Sequence, residues 1–209
     1  MTTAILEELV AGHAASMVPL TVDQVHEMID AGIILDGAPI ELIDGTLVYK
    51  DRGVAGDQPM THNPMHAASV RRLMDLLATW CKSIGCFIQC QLPVTLSKTS
   101  APEPDLAIIL GDPDAFVDRH PGPGEIASIF EIGHSSLRFD RKIKQRLYAS
   151  AGIPTYWIVD LRERLIEVYL QPDAVNGTYS SRTEYRPGQS IPLMVGGHVL
   201  DVDVAAVLA

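Results

Sequence analysis

The sequence predicts an α+β fold, a mixed central β-sheet flanked by helices, and three observations carry that expectation. The chain has 209 residues, 47% of them hydrophobic and 20% charged, which is enough apolar mass for a substantial core. Short apolar runs bounded by glycine, proline and aspartate alternate irregularly with stretches of helical period. No internal repeat, low-complexity tract or linker interrupts them, so residues 19–209 read as one domain behind a loose or amphipathic extension at 1–18.

The elements follow in order. Thr21 caps a helix over TVDQVHEMIDAG, which has acids early and Gly32 as a stop. IELIDGTLVY holds two apolar runs around Asp44-Gly45, a strong hairpin signal. Residues 51–62 read as a loop. Asn63-Pro64 is an N-cap followed by proline at the first helical position, and Val70, Leu73, Leu77, Trp80, Cys81 and Ile84 continue at helical spacing until Gly85. Residues 86–96 and 105–110 read as strands around the turn SKTSAPEP, and 112–125 as a loop. ASIFEIG (127–133) is a buried strand, and Ser135 or Ser136 caps the helix FDRKIKQRLYASAG. TYWIVD, RLIEVYL and 178–185 are further strands, and VLDVDVAAVL is a strand turning into a short helix. Trp157 and Tyr156 belong to the core.

Charge and cysteine usage narrow the function. Sixteen Lys and Arg against 26 Asp and Glu leave a net charge of −10, which disfavours a general polyanion binder but leaves room for a local basic site. Three cysteines fit a reducing compartment. Cys86 and Cys90, four residues apart in a strand, lie roughly 13 Å apart, too far for one disulfide or one metal. No apolar run reaches the ~18 residues of a membrane helix, and the N-terminus has no basic segment of a secretory signal. The expected location is cytoplasmic, with no membrane partner.

The chemistry is expected where acids interrupt apolar strands. Glu41 lies inside IELI, Asp105 leads LAIIL, and Glu131 ends ASIF. A carboxylate at a buried strand end is costly unless paired or metal-bound, and three together resist ionisation. A divalent cation removes that repulsion, and oxygen ligands alone select a hard ion such as Mg²⁺ or Mn²⁺. Taken singly, each acid could equally face solvent or pair with a surface arginine; the case rests on convergence. The following helix concentrates Arg138, Arg141, Lys142, Lys144 and Arg146. Asp140, Lys144 and Tyr148 fall on one face, whereas Lys142 lies about 200° away from Lys144. This is either a solvated basic face or a positive wall beside an acidic site.

Other patterns are weaker. Gly133 to Leu137 (GHSSL) half resembles an α/β-hydrolase nucleophile elbow but lacks the second glycine. His62 and His66 are four apart but carry no HExxH acid. Asp112, Asp114 and Asp118 lack a calcium-loop pattern.

Pro104-Asp105 followed by Glu131-Ile132-Gly133 resembles the PD-(D/E)XK phosphodiesterase signature, except that the usual lysine position is Gly133. The ordered series ELIDGTLV from Glu41, His66 in the long helix, PEPDLAII from Pro102, EIGHSS from Glu131, DRKIKQRLY from Asp140 and AGIPTYWIVDL from Ala151 resembles the Uma-type restriction endonuclease family over roughly residues 20–208. The resemblance implies a restriction-endonuclease-like fold, with Glu41, Asp105 and Glu131 as ligands of Mg²⁺ or Mn²⁺. It implies that the missing lysine has moved to Lys144. The Ile132 carbonyl would be a further ligand. His66 would contact substrate or orient Glu41, unless it is a plain helix-surface histidine. Gln91 would stand behind the metal ligands, unless it faces solvent, and Lys142 would touch DNA. The expected activity is metal-dependent hydrolysis of DNA phosphodiesters, by a homodimer as restriction-type folds often are. The rival is a non-catalytic nucleic-acid or partner-binding module that keeps the fold.

Overall fold

The protein is described from a computed structural model covering residues 18–50, 64–133 and 136–208. The N-terminal extension, the loop at 51–62, the cap Asn63, and His62, His134 and Ser135 lie outside the described residues.

Helix α1 (Val22–Asp30) begins with a capping box: the Thr21 hydroxyl accepts from the Gln24 amide, and the Gln24 side chain accepts from the Thr21 amide. Strands β1 (Ile40–Ile43) and β2 (Thr46–Tyr49) pair antiparallel around Asp44 and Gly45, whose φ values of 48° and 77° suit the tight turn Asp-Gly favours. Helix α2 (Pro64–Ser83) buries Val70, Leu73, Leu77 and Cys81, one stripe at helical spacing.

The main sheet has six strands in the order β3 (Cys86–Cys90), β4 (Leu106–Leu110), β5 (Ile126–Gly133), β6 (Thr155–Asp160), β7 (Leu165–Asp173) and β8 (Thr178–Tyr185). All neighbours are antiparallel except β5 and β6, whose parallel pairing requires a crossover. The crossover is a continuous helical segment: α3 (Leu137–Phe139), a π-helical turn (Asp140–Lys144) and α4 (Gln145–Ser150). A second hairpin, β9 (Ser190–Val195) and β10 (His198–Asp203), leads into α5 (Val204–Leu208).

Alternation along the strands divides the core between the two sheet faces. Leu106, Ile108, Phe130, Ile132, Trp157 and Val159 pack with α2, α5 and the inner side of the second hairpin. Ala107, Ile109, Ile129, Tyr156 and Ile158 pack with Leu137, Leu147 and Tyr148 on the other. Trp157 and Tyr156 are both fully buried, as expected.

Three local expectations change, and one strand is added. The strand expected over 86–96 stops at Cys90, because Gln91 takes φ 50°, outside the β region. The loop at 112–125 contains two 3-10 turns, the first capped by Asp112. Strand β9 falls in a stretch to which the sequence assigned no element; its proline sits on an exposed position of a two-stranded ribbon. Ser136 does not cap the next helix through its side chain; its hydroxyl donates to Asp140 Oδ2 at 2.6 Å.

Candidate active site

Register brings Asp105 and Glu131 together. Leu106 pairs with Phe130 in antiparallel β4 and β5, so the preceding Asp105 meets the stretch that follows Phe130. The Asp105 Oδ2 atom accepts the Ile132 amide at 2.8 Å. Both acids fall on the sheet face that carries α4.

Glu41 arrives from a different element. The Ala101 amide donates to the Leu42 carbonyl at 2.8 Å, and the Gly45 amide to the Thr99 carbonyl at 2.7 Å, which fastens the first hairpin to the segment before β4. Glu41 Oε2 then accepts the Glu103 amide at 2.9 Å. The turn is held close: a Cβ on Gly45 would lie 2.2 Å from Pro19 Cβ.

Lys144 joins the acids. Its Nζ lies 2.9 Å from Glu131 Oε1 and 3.4 Å from Glu41 Oε1. Tyr148, one turn on, donates to the same Glu131 oxygen at 2.7 Å. Glu131 Oε2 accepts from no described residue. Asp105 Oδ1 lies 3.0 Å from His66 Nε2 and receives a long 3.5 Å contact from Gln91 Nε2.

Burial sets the electrostatics. It pushes Glu131 up to about 8, against the pull of Lys144. It pushes Asp140 up to about 6, again against Lys144. Burial also raises Asp105, but the His66 contact and the Ile132 amide outweigh it and hold that carboxyl below the usual range. Lys144 is the converse: burial lowers it, yet Glu131, Glu41 and Asp140 together raise it above an ordinary lysine. Its neighbours thus favour the ammonium form. Burial, then Glu131, raises the Tyr148 phenol well above its usual value, so it remains a donor.

Glu41, Asp105, Glu131 and Lys144 thus form one cluster, with Tyr148 hydrogen-bonded to it. Among the described residues, no three carboxylate, histidine or cysteine side chains are spaced as a metal-ligating group. Lys144 occupies the position between Glu131 and Glu41. The donor chemistry nonetheless fits a hard cation: carboxylate oxygens, one of them without a donor among the described residues, in a setting where burial penalises their charge.

His66, expected to contact substrate, to orient Glu41 or to be a plain helix-surface histidine, lies on Asp105 rather than on Glu41, where the first turn of α2 passes the start of β4. Asp140 and Lys144, on one face as read from the sequence, do not pair with each other: Asp140 holds the Ser136 hydroxyl, and Lys144 turns to Glu131 and Glu41. Lys142 is exposed, away from the cluster. Ile132 contributes its amide to Asp105 and its side chain to the core.

Asp140 was read on the Lys144 face, but Ser136 was not foreseen as a neighbour of the site. Nor was a second charged cluster: Arg141 pairs with fully buried Asp160 and Glu167, and Arg182 also reaches Glu167. The alternating strand positions of Asp160 and Glu167, on the same face as Glu131, were the available signal.

Comparison with known proteins agrees with this fold. No curated protein matches the chain. A solved structure described as "a putative nuclease belonging to DUF820", from Anabaena variabilis, superposes with a TM-score of 0.62 at 16% identity, covering 91% of this chain and 98% of that one. At that identity the likeness is one of fold. Residues 22–203 match the Uma2 family profile, described as "Putative restriction endonuclease", and the chain belongs to that family.

Proposed function

We propose that the protein is a Mg²⁺- or Mn²⁺-dependent endonuclease acting on DNA, with its catalytic residues in the cluster of Glu41, Asp105, Glu131 and Lys144. The observation that carries this reading is Lys144 Nζ, buried between Glu131 and Glu41 at the end of the strand pair that presents Asp105. Glu41, Asp105 and Glu131, with the Ile132 carbonyl, would hold the cation. A divalent cation held there polarises a scissile phosphate and eases ionisation of a water.

The chain's own residues do the rest. Asp105 stays ionised, its oxygens oriented by His66 Nε2 and the Ile132 amide. Tyr148 holds Glu131 Oε1 and so leaves Oε2 available. Lys144 keeps its proton, so it acts as a fixed positive charge for the developing phosphorane oxygens or positions the attacking water by donation; it is not a base. Because the compact ammonium fits between two carboxylates, arginine is not an equivalent replacement.

The test is cleavage of supercoiled, linear and single-stranded DNA with and without Mg²⁺. Lys144→Ala and Asp105→Asn should each lower the single-turnover rate about 100-fold or more, the usual scale for losing one transition-state stabilising group. Lys142→Ala, on the exposed side of the π turn, should weaken DNA binding at most. Lys144→Ala strands two buried carboxylates, so its fold is checked by circular dichroism and its activity read well below the melting temperature. Absence of cleavage with either metal would favour the second reading, a binding module that retains the fold; the pairing of Lys144 with both glutamates, which already compensates them, is the observation on that side.

A further inference from the structure

A cavity of about 500 Å³ adjoins the acid cluster. It lies between α1, the first hairpin and the segment around Leu92 and Pro93. Glu41 and Gln91 line it, and both also belong to the cluster: Glu41 reaches Lys144, and Gln91 reaches Asp105. A group seated in the cavity is therefore next to the proposed reacting phosphate.

The walls specify what fits. Val25, Ile29, Ile34, Leu42 and Leu47 make them mainly apolar. Besides Glu41 and Gln91, the polar groups are the Lys50–Glu103 ion pair, His26, His120 and the carboxylates of Asp30 and Asp36. The His26 and His120 rings lie tilted with centroids 6.1 Å apart. Burial, then His26, holds His120 below an ordinary histidine, so its ring is neutral at pH 7. A phosphate would meet acids here with little uncompensated positive charge. A flat, neutral ring with hydrogen-bonding edges meets apolar walls, imidazole faces and an ion pair that can donate and accept. A duplex is far too large for this volume, whereas a single base is of the right scale.

We propose that this cavity receives one unpaired nucleobase of the substrate strand, so that the protein acts on single-stranded, frayed or base-extruded DNA. The proposal rests on the nuclease reading for its substrate class. The sugar and phosphates stay outside, because Asp30 and Asp36 disfavour a phosphate within, while the base enters and stacks.

The test uses the full chain in metal-free buffer and short oligonucleotides carrying 2-aminopurine, a fluorescent adenine analogue whose emission reports its stacking. Single strands should bind about 10-fold or more tightly than blunt duplexes of the same sequence, as base–side-chain stacking allows, with a change in 2-aminopurine emission. Ile29→Trp, which fills the cavity, should remove both the preference and the emission change while leaving duplex binding as it was. Ala38→Trp, on another wall, replaces it if that variant does not fold. Equal binding of both forms, no binding, or a filled cavity that leaves the signal intact would overturn the proposal. Plasmid nicking with Mg²⁺ on the same wild-type sample separates the two readings: nicking without a base signal removes the cavity assignment alone, and a base signal without nicking removes the catalytic one alone.

Discussion

Gly133 occupies the place where the related signature carries lysine, and packing disfavours a lysine there. A Cβ at this position would lie 2.5 Å from Leu137 Cδ2 and 3.2 Å from Asp140 Oδ2. Leu137 is buried against the sheet and cannot withdraw without opening the core. The ammonium instead comes from Lys144, and its stem crosses to Glu131 from the helix. Gly133→Lys should therefore destabilise the protein by about 1–3 kcal/mol, the ordinary cost of overpacking. It should not restore cleavage to Lys144→Ala. Urea melts of the single variant and plasmid cleavage by the double variant check both statements; rescue would show that either position can supply the charge. His66 belongs to the same scale. Its place on the long helix was readable, but which acid it meets depends on where α2 crosses the sheet.

At the scale of elements, the crossover between β5 and β6 carries two charged clusters on one helical segment. Lys144 faces Glu131 and Glu41, and Arg141 faces Asp160 and Glu167. The π turn over Asp140–Lys144 keeps Asp140 and Lys144 buried while Lys142 stays exposed. Nothing in the residue types of DRKIK distinguishes a π turn from an α turn; the choice belongs to the packing of the segment on the sheet. Burial raises Glu167, but Arg182, Arg141 and the Tyr169 hydroxyl outweigh it and leave the carboxyl below its ordinary value. A depressed carboxyl stabilises the fold above its unfolded pKa and loses that contribution as pH falls through the folded value. Stability should thus drop below roughly pH 4.5, where unfolded glutamate begins to protonate, and the drop should be shallower in Glu167→Gln. Thermal midpoints from pH 7 to pH 3 measure this; parallel curves for the two proteins would remove Glu167 as the source. Arg141→Ala should cost about 3 kcal/mol, the low end for breaking a buried pair, because its guanidinium is partly solvated and Arg182 remains on Glu167.

For the molecule as a whole, the site depends on a small hairpin outside the main sheet. Strands β1 and β2 form a two-stranded sheet of their own, and the bridge from Leu42 to Ala101 with the other bonds to the 99–103 segment carries Glu41 to the cluster. Repulsion among buried acids is offset by one lysine, so a cation binding only the native state should stabilise the whole fold. At 100 times the dissociation constant, Mn²⁺ should add about 2.7 kcal/mol, read as a rise in melting temperature. Asp105→Asn should reduce that rise. No shift at millimolar Mn²⁺ would argue against a cation site. The net charge of −10 makes DNA affinity depend on local groups such as Lys142 and Arg138, both exposed, so binding should weaken as salt increases.

The sequence by itself determined the α+β class, the Asp-Gly hairpin, the capped first helix, the stripe of α2 and the acids at strand positions, because each is set by local periodicity, turn chemistry or capping. It also carried Lys144 and Tyr148 on one helical face. Only the tertiary structure decided that Glu41 and Glu131 share one ammonium, that His66 meets Asp105, that Leu137 fills the space at Gly133, and that a cavity opens beside Glu41. Those contacts join residues far apart in the chain, and their formation depends on strand register, helix crossing and side-chain volume, none of which a local pattern encodes.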